Sequence, residues 1–487
     1  MTSDVPTEAG DLSTPVPLSP ALADTALREP RHSVRAILAL TWPVVLGQLI
    51  ANAVPIIDLL MLGRFGTPTL AAVGYASQFV MLAQASLLAI GAACVALMAR
   101  AIGAQDLVRA RQSFAAALWL ALSVMSVLTF FTLAFPRELL RLLAVPESVV
   151  HLAVPYFRLT LGAAPLMAIA FIYEHAFRSA RDTLIPMLIA GGAALLKVGA
   201  NFVFVYGALG VPAMGLMGAG LASLLSQSVS VTMFLYASRR HSHPAVRLTM
   251  AELRPPRTIV REAYSVAWPA VGERFVMNAA MLLYFRFLGG YGVAAVAAYN
   301  VGVRILAFSW IPGLGLSVAA ATLVAHALGA GDSAAARQVG KVALRIAVGV
   351  AVALASLFII LRVPIARSFT HDEKVVAALD PFILLLGVGL PLLVTHFTLA
   401  GALRGAGDTL SPLWAAALGN WVFRVPLGYL ATQVFSLPLF WVWSIMVVDH
   451  LARATCLTWS FRRGAWHKNL GVGLRADAKL QHVAKAA

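Results

Sequence analysis

The sequence predicts an all-α membrane protein: twelve transmembrane helices in two six-helix bundles related by a parallel pseudo-twofold repeat. Three observations predict it. The chain of 487 residues is 60% hydrophobic and 12% charged, too little polar surface for a soluble protein of this size. Its apolar residues fall in long runs, each enough to cross roughly 30 Å of hydrocarbon. The two halves then repeat at a constant offset of about 226 residues.

The runs lie near residues 36–62, 69–99, 113–135, 152–177, 185–208 and 213–236, then 263–288, 294–326, 341–361, 377–403, 411–433 and 437–461. A helix satisfies its own backbone in lipid, so these read as helices rather than strands of a barrel. Residues 1–35 mix Pro, Ser, Thr and acids without an apolar core and predict a disordered cytoplasmic tail. The N-terminal bundle spans 36–238. A basic stretch with Pro255-Pro256, residues 239–262, predicts a cytoplasmic linker. The C-terminal bundle spans 263–461, and 462–487 form a basic cytoplasmic tail.

The net charge of +16 sits in loops and tails. With the N-terminus inside, roughly 23 Lys and Arg fall on the cytoplasmic side and roughly 6 outside. That predicts both termini in the cytoplasm of a multi-pass protein of the cell (inner) membrane. It explains the charge without a nucleic-acid partner. Cys94 and Cys456 lie in apolar runs and form no disulfide or metal pattern.

The repeat is specific. Trp42-Pro43 becomes Trp268-Pro269, and Asn52 becomes Asn278. Gly103-Ala104-Gln105-Asp106 becomes Gly329-Ala330-Gly331-Asp332. Arg178, Asp182-Thr183 and Pro186 become Arg404, Asp408-Thr409 and Pro412. Shared Ala and Leu composition cannot align such landmarks together. An even number of spans per half makes the repeats parallel, an architecture that commonly works by rocking two bundles about a central cavity.

These residues resemble the multidrug and toxic compound extrusion (MATE) family, within the wider multidrug/oligosaccharidyl-lipid/polysaccharide flippase superfamily. The likeness rests on Trp42-Pro43, Asp58 and Gly63-Arg64-Phe65-Gly66 in the first helix. It continues in Ala297-Ala298-Tyr299-Asn300 with Arg304, in His326 to Asp332, in Leu403 to Thr409, in Arg424-Val425-Pro426 and in Phe461 to Trp466. It covers roughly residues 36–468. The resemblance implies secondary active efflux of amphipathic, often cationic organic compounds in exchange for H⁺ or Na⁺, by alternating access. A flippase for a lipid-linked precursor, from the same superfamily, is the alternative; the count of about twelve helices weakens it.

Charges inside a membrane need a reason. Asp58 lies inside the first run, where protonation trades against the cost of burying a carboxylate. The resemblance implies the same role, since Asp58 matches the family's coupling aspartate. The other reading is a structural ion pair near the interface. Lys197 and Asn201, one turn apart on the fifth helix, stand where many members carry Asn-x-x-x-Asp. The expectation is that the Lys197 ammonium reaches Asp58 and sits where a bound cation would otherwise sit, leaving H⁺ as the coupling ion; a static salt bridge is the alternative.

A secondary polar network is expected from Glu273, Arg274, Asn300, Arg304, Arg424 and Asp449. Asp449 and Arg453 are placed to pair across one turn. Glu273 sits nearer the cytoplasmic end than the family's helix-seven glutamate, so that role is not carried over. His326 and His396 read equally well as packing residues or proton carriers. Candidate substrate-cavity residues, chosen by helix and depth, are Gln48, Tyr75, Gln78, Met81, Met277, Tyr299 and Phe308.

An enzyme is not expected. The chain has no His-x-x-Glu-His, Asp-x-x-Asp or Gly-x-Ser-x-Gly cluster and no Walker-type loop. The expected partners are a small organic substrate, H⁺ or Na⁺ and the lipid bilayer, with no cofactor or metal and a monomeric chain.

Overall fold

The computed structural model describes residues 30–464 and Trp466, apart from 143–144, 241–242, 292 and 370–371. The expected tails, 1–35 and 462–487, lie largely outside the described residues.

Twelve helical passes follow one another. The first half holds α1 (Pro30–Leu62), α2 (Thr67–Gly103), α3 (Leu107–Ala134), α4 (Glu147–Gly162 continuing as Ala164–Ser179), α5 (Leu184–Tyr206) and α6 (Gly215–Arg240). The second holds α7 (Arg257–Leu288), α8 (Val293–Ser309 continuing as Ile311–Gly329), α9 (Ser333–Ile360), α10 (Glu373–Gly405), α11 (Leu410–Val434) and α12 (Leu439–Arg463). Among the described residues, nine of these are long and apolar enough to cross a membrane on length and composition alone. The other three are α7, α11 and α12. Glu273, Arg274, Asp449 and Arg453 lower the hydropathy of α7 and α12. In α11, the turns Leu418–Arg424 and Leu430–Val434 are π-helical.

The helices outrun the apolar stretches at the basic end. Helix α6 reaches Arg240 and α7 begins at Arg257, so the linker expected over 239–262 narrows to 241–256. The basic last turn of α6, Arg239 and Arg240, complements the negative helix C-terminus. Pro256 caps the start of α7, and a proline cannot extend a helix backwards.

The repeat is visible in the turns. Gln105 and Gly331 hold equivalent places with φ of 61° and 77°. After them, Asp106 Oδ1 accepts from Arg109 N at 2.9 Å and Asp332 Oδ1 from Ala335 N at 2.9 Å, capping α3 and α9. Arg181 and Gly407 repeat the left-handed turn with φ of 63° and 85°. Asp182 and Asp408 follow, accepting from Ile185 N at 3.1 Å and Ser411 N at 2.9 Å. Gly91 faces the His175 ring where α2 meets α4, and its counterpart crossing pairs Ser317 with Gly401. The small residue has changed helix while the close approach is kept.

Each bundle has its own apolar core. The bundles join at the arginine-rich end. Ile37 and Leu40 of α1 pack among Leu316, Ala319 and Leu323 of α8. Ala116 of α3 packs with Ile259 and Ala263 of α7. A Cβ on Gly103 would stand 2.1 Å from His326 O, and one on Gly329 2.0 Å from Arg100 O. The His326 Nε2 lies 2.7 Å from Ser179 O of the other bundle. Both segments of α8 pack on α10, and Ile311–Gly329 packs on α1 and α2 of the other bundle as well.

Candidate functional site

Pro55 lies inside α1, one turn before Asp58. It removes an amide from the helix ladder and weakens that turn. Asp58 faces α5, where Lys197 and Asn201 lie on one side. The Lys197 Nζ contacts Asp58 Oδ2 directly, and Asn201 Nδ2 donates to Asp58 Oδ1 at 2.6 Å. The Asp58 and Lys197 side chains are 14% and 17% exposed, and Asn201 is buried. Each carboxylate oxygen therefore has its own donor, and one of these carries a positive charge. Such charge-assisted bonds hold the anion in a low-dielectric setting. Asn201 Oδ1 is buried without a hydrogen-bond partner. With the carboxylate it leaves the site an oxygen acceptor to spare, which a hard cation or a proton satisfies.

The second bundle does not repeat this arrangement. The place equivalent to Asp58 is Tyr284, whose hydroxyl donates to Val442 O at 2.6 Å. Arg424 lies over its ring, 5.7 Å from the centroid. Arg424 Nη2 also reaches Asp449 Oδ2 at 3.0 Å. Arg453 donates twice to Asp449, Nε to Oδ1 at 2.6 Å and Nη2 to Oδ2 at 2.7 Å, and once to Asn420 Oδ1 at 2.9 Å. A Cβ on Gly419 would meet Asp449 Oδ1 at 2.2 Å, so this glycine lets the cluster sit against α11. The fully buried Asp449 thus serves two arginines, the condition under which a buried charge is tolerated.

Glu273 pairs with Arg404 of α10, at 2.7 and 2.8 Å from its two oxygens. Arg274, its neighbour about 100° round the helix, lies within electrostatic reach of Glu273 and Arg404 but forms no ion pair among the described residues. The expected secondary network therefore splits in two: Glu273 with Arg404, and Asp449 with Arg424 and Arg453. Asn300 and Arg304 are exposed on α8.

Of the expected cavity residues, Gln78, Met81 and Phe308 are exposed, and Gln48, Tyr75 and Met277 are half-buried. Tyr299 is a correction. It is buried in the core of the second bundle, stacked on Trp443 with centroids 5.9 Å apart and edge-on to Phe382. An aromatic residue at the depth of a cavity faces inward or outward according to its place in the 3.6-residue turn, which depth alone does not resolve.

Sequence reasoning missed Tyr156 and Thr160 of α4, the former within the electrostatic reach of Asp58, and Asn420 beside Arg453. Their signal is weak, because uncharged polar residues are common in spans. His396 and His450, stacked with ring centroids 6.1 Å apart, are packed beside Asp449. Among the described residues, no cluster of three or more His, Cys, Asp or Glu could hold a metal ion.

Comparison with known proteins follows this geometry. Residues 43–203 and 269–430 match the MatE family, one match per bundle. A probable multidrug resistance protein NorM of Bradyrhizobium diazoefficiens is 30% identical over 442 residues, covering 87% of this chain and 92% of the relative. A probable NorM of Thermotoga maritima is 26% identical over 413 residues, covering 84% and 88%. Among solved structures, a MOP-superfamily transporter of Pyrococcus furiosus superposes with a TM-score of 0.83 at 23% identity, over 92% of this chain and 99% of that one.

Proposed function

The chain belongs to the MatE family of membrane transporters, and from that premise we propose that it exports amphipathic organic compounds in exchange for protons, with Asp58 as the coupling carboxyl. Its NorM relatives support the substrate side of this reading. The observation that carries the coupling side is the Asp58–Lys197–Asn201 contact between α1 and α5. An ammonium on the protein itself occupies the side of Asp58 that a free cation would approach, which disfavours Na⁺. A proton instead neutralises the carboxylate, dissolves the pair and leaves Lys197 to find water or another partner. Because both groups belong to different helices, loss of the pair changes how α1 packs on α5. That supplies the differential stabilisation of two states that coupling needs.

The bundles, 36–238 and 263–461, are the moving units in this reading, about the junction at Gly103 and Gly329. The positive-inside bias supports a cytoplasmic arginine-rich end, with both termini on that side. The arrangement described is then the outward-facing state, sealed on the cytoplasmic side. The chain acts as a monomer in the inner membrane.

Everted vesicles test the reading. Dye uptake should follow an imposed pH gradient, ignore a Na⁺ gradient and vanish in Asp58→Asn. Uptake that survives this substitution under the same pH gradient sinks the proposal.

A further inference from the structure

Both buried carboxylates of the second bundle are already taken. Glu273 is held by Arg404, and Asp449 is shared by Arg424 and Arg453. Arg304 of α8 has no ion pair among the described residues, and its side chain is exposed. It lies about 16 Å in from Val293, at about 1.5 Å per residue. That is too deep for the guanidinium to reach the headgroups by snorkelling. A charged side chain at such depth faces the protein interior or a water-filled cavity, not lipid.

Helical geometry says which. Gly315 of α8 packs against Thr41 and Val45 of α1. Arg304 stands eleven residues before it, about 20° round from it on a helix carried straight through the turn at Trp310. On that register Arg304 lies on the stripe of α8 that turns toward the first bundle, above the point where the bundles meet. Its repeat counterpart in the first bundle is Gln78, also exposed and uncharged. Asp58 of that bundle is held by Lys197. One turn deeper than Arg304 on the same stripe, Phe308 is 48% exposed. The space between the bundles thus carries a guanidinium without a counter-charge, next to an open aromatic ring.

Resting on the exporter reading above, we infer that the substrate is an amphipathic anion, whose carboxylate, sulfonate or phosphate group is bound by Arg304 while its apolar body lies on Phe308. The planar fork of arginine matches such groups with two parallel hydrogen bonds. A cation is repelled from the same place. The acidic group belongs either to a water-soluble organic acid or to a lipid headgroup.

The test uses the full chain in proteoliposomes with three probes: carboxyfluorescein, ethidium and a fluorescent phosphatidylglycerol. Carboxyfluorescein should move under a pH gradient. Its transport should fall about tenfold or more in Arg304→Gln, the loss of a charge-assisted bond, and recover in part in Arg304→Lys. Ethidium transport should be slow and should rise in Arg304→Gln. Movement of the lipid alone, with the same dependence on Arg304, supports the anion site and assigns its source to the membrane. Ethidium transport indifferent to Arg304, with carboxyfluorescein and lipid unmoved, overturns this inference and leaves the exporter reading standing. Failure of all three probes overturns the exporter reading, and this inference with it.

Discussion

Gly103 and Gly329 hold equivalent positions in the two halves, and each lies against a backbone carbonyl of the other bundle, leaving no room for a Cβ on either side. The contact is a small two-fold joint made of main chain. Such a joint closes only if both partners lack side chains.

Gly329→Val should therefore force the joint apart, at a penalty of about 1–3 kcal/mol for overpacking. Spin labels replacing Met81 and Phe308, on opposite bundles, report the outcome. The variant should shift their distance distribution relative to the parent. An identical distribution would show that this joint does not set which end is closed.

Removing one partner of the Asp58–Lys197 pair leaves the other charge with little solvent. Lys197→Met should lower stability by about 3–5 kcal/mol. The double variant with Asp58→Asn should recover about 1–3 kcal/mol relative to the sum of the single effects. Thermal unfolding in detergent measures both. Strict additivity would mean that the two groups do not act on each other.

If the Lys197 ammonium keeps Na⁺ out, its removal should let Na⁺ in. In Lys197→Ala, the Asp58 carboxylate and Asn201 Oδ1 remain as oxygen ligands. Na⁺ at ten times its Kd then adds about 1.4 kcal/mol of stability. A melting temperature raised by NaCl over choline chloride in the variant, with the parent unaffected, is the expected result.

Asp449 should be the least replaceable acid of the chain. Asp449→Ala strands Arg424 and Arg453 in a buried site and should cost about 3–5 kcal/mol. Asp449→Asn, which keeps one acceptor oxygen, should cost less. Expression level and detergent-resistant melting give the ranking, and the reverse order would argue that the arginines find other partners.

The linker is expected to respond to acid. His243 Nδ1 accepts from Ala245 N at 3.2 Å, starting a turn whose Ala245 and Val246 are fully buried. Burial, and then the nearby Arg181, lower the His243 imidazole below its ordinary range. A base whose affinity for protons is depressed on folding contributes stability above its unfolded value and loses it as pH falls. Amide protection factors at residues 245–248, taken relative to intrinsic exchange at each pH, should therefore fall on acidification through and below the ordinary histidine range. His243→Asn, which keeps an acceptor, should flatten that dependence.

Much of this was legible in one dimension. Trp42-Pro43 against Trp268-Pro269, and Asp106 against Asp332, announce a duplicated bundle because turns and helix caps demand particular residues at particular places. Asp58 and Lys197 stand out because an ion in a membrane is expensive wherever it points. Glu273 was legible as a buried acid, but its partner Arg404 was not. The choice of Arg404 over the adjacent Arg274 depends on rotation about the helix axis and on which helix lies opposite.

By itself, the sequence determined the number of spans, their repeat in two halves and the few residues whose burial needs explaining. These follow from hydropathy, chain order and the chemistry of local turns, all of which act within a few residues. Tertiary structure alone decided that Tyr299 packs on Trp443 instead of lining a cavity. It also decided that Asp449 serves two arginines, and that the bundles close at Gly103 and Gly329. Those outcomes depend on how one helix is rotated and pressed against another, which short-range pattern does not encode.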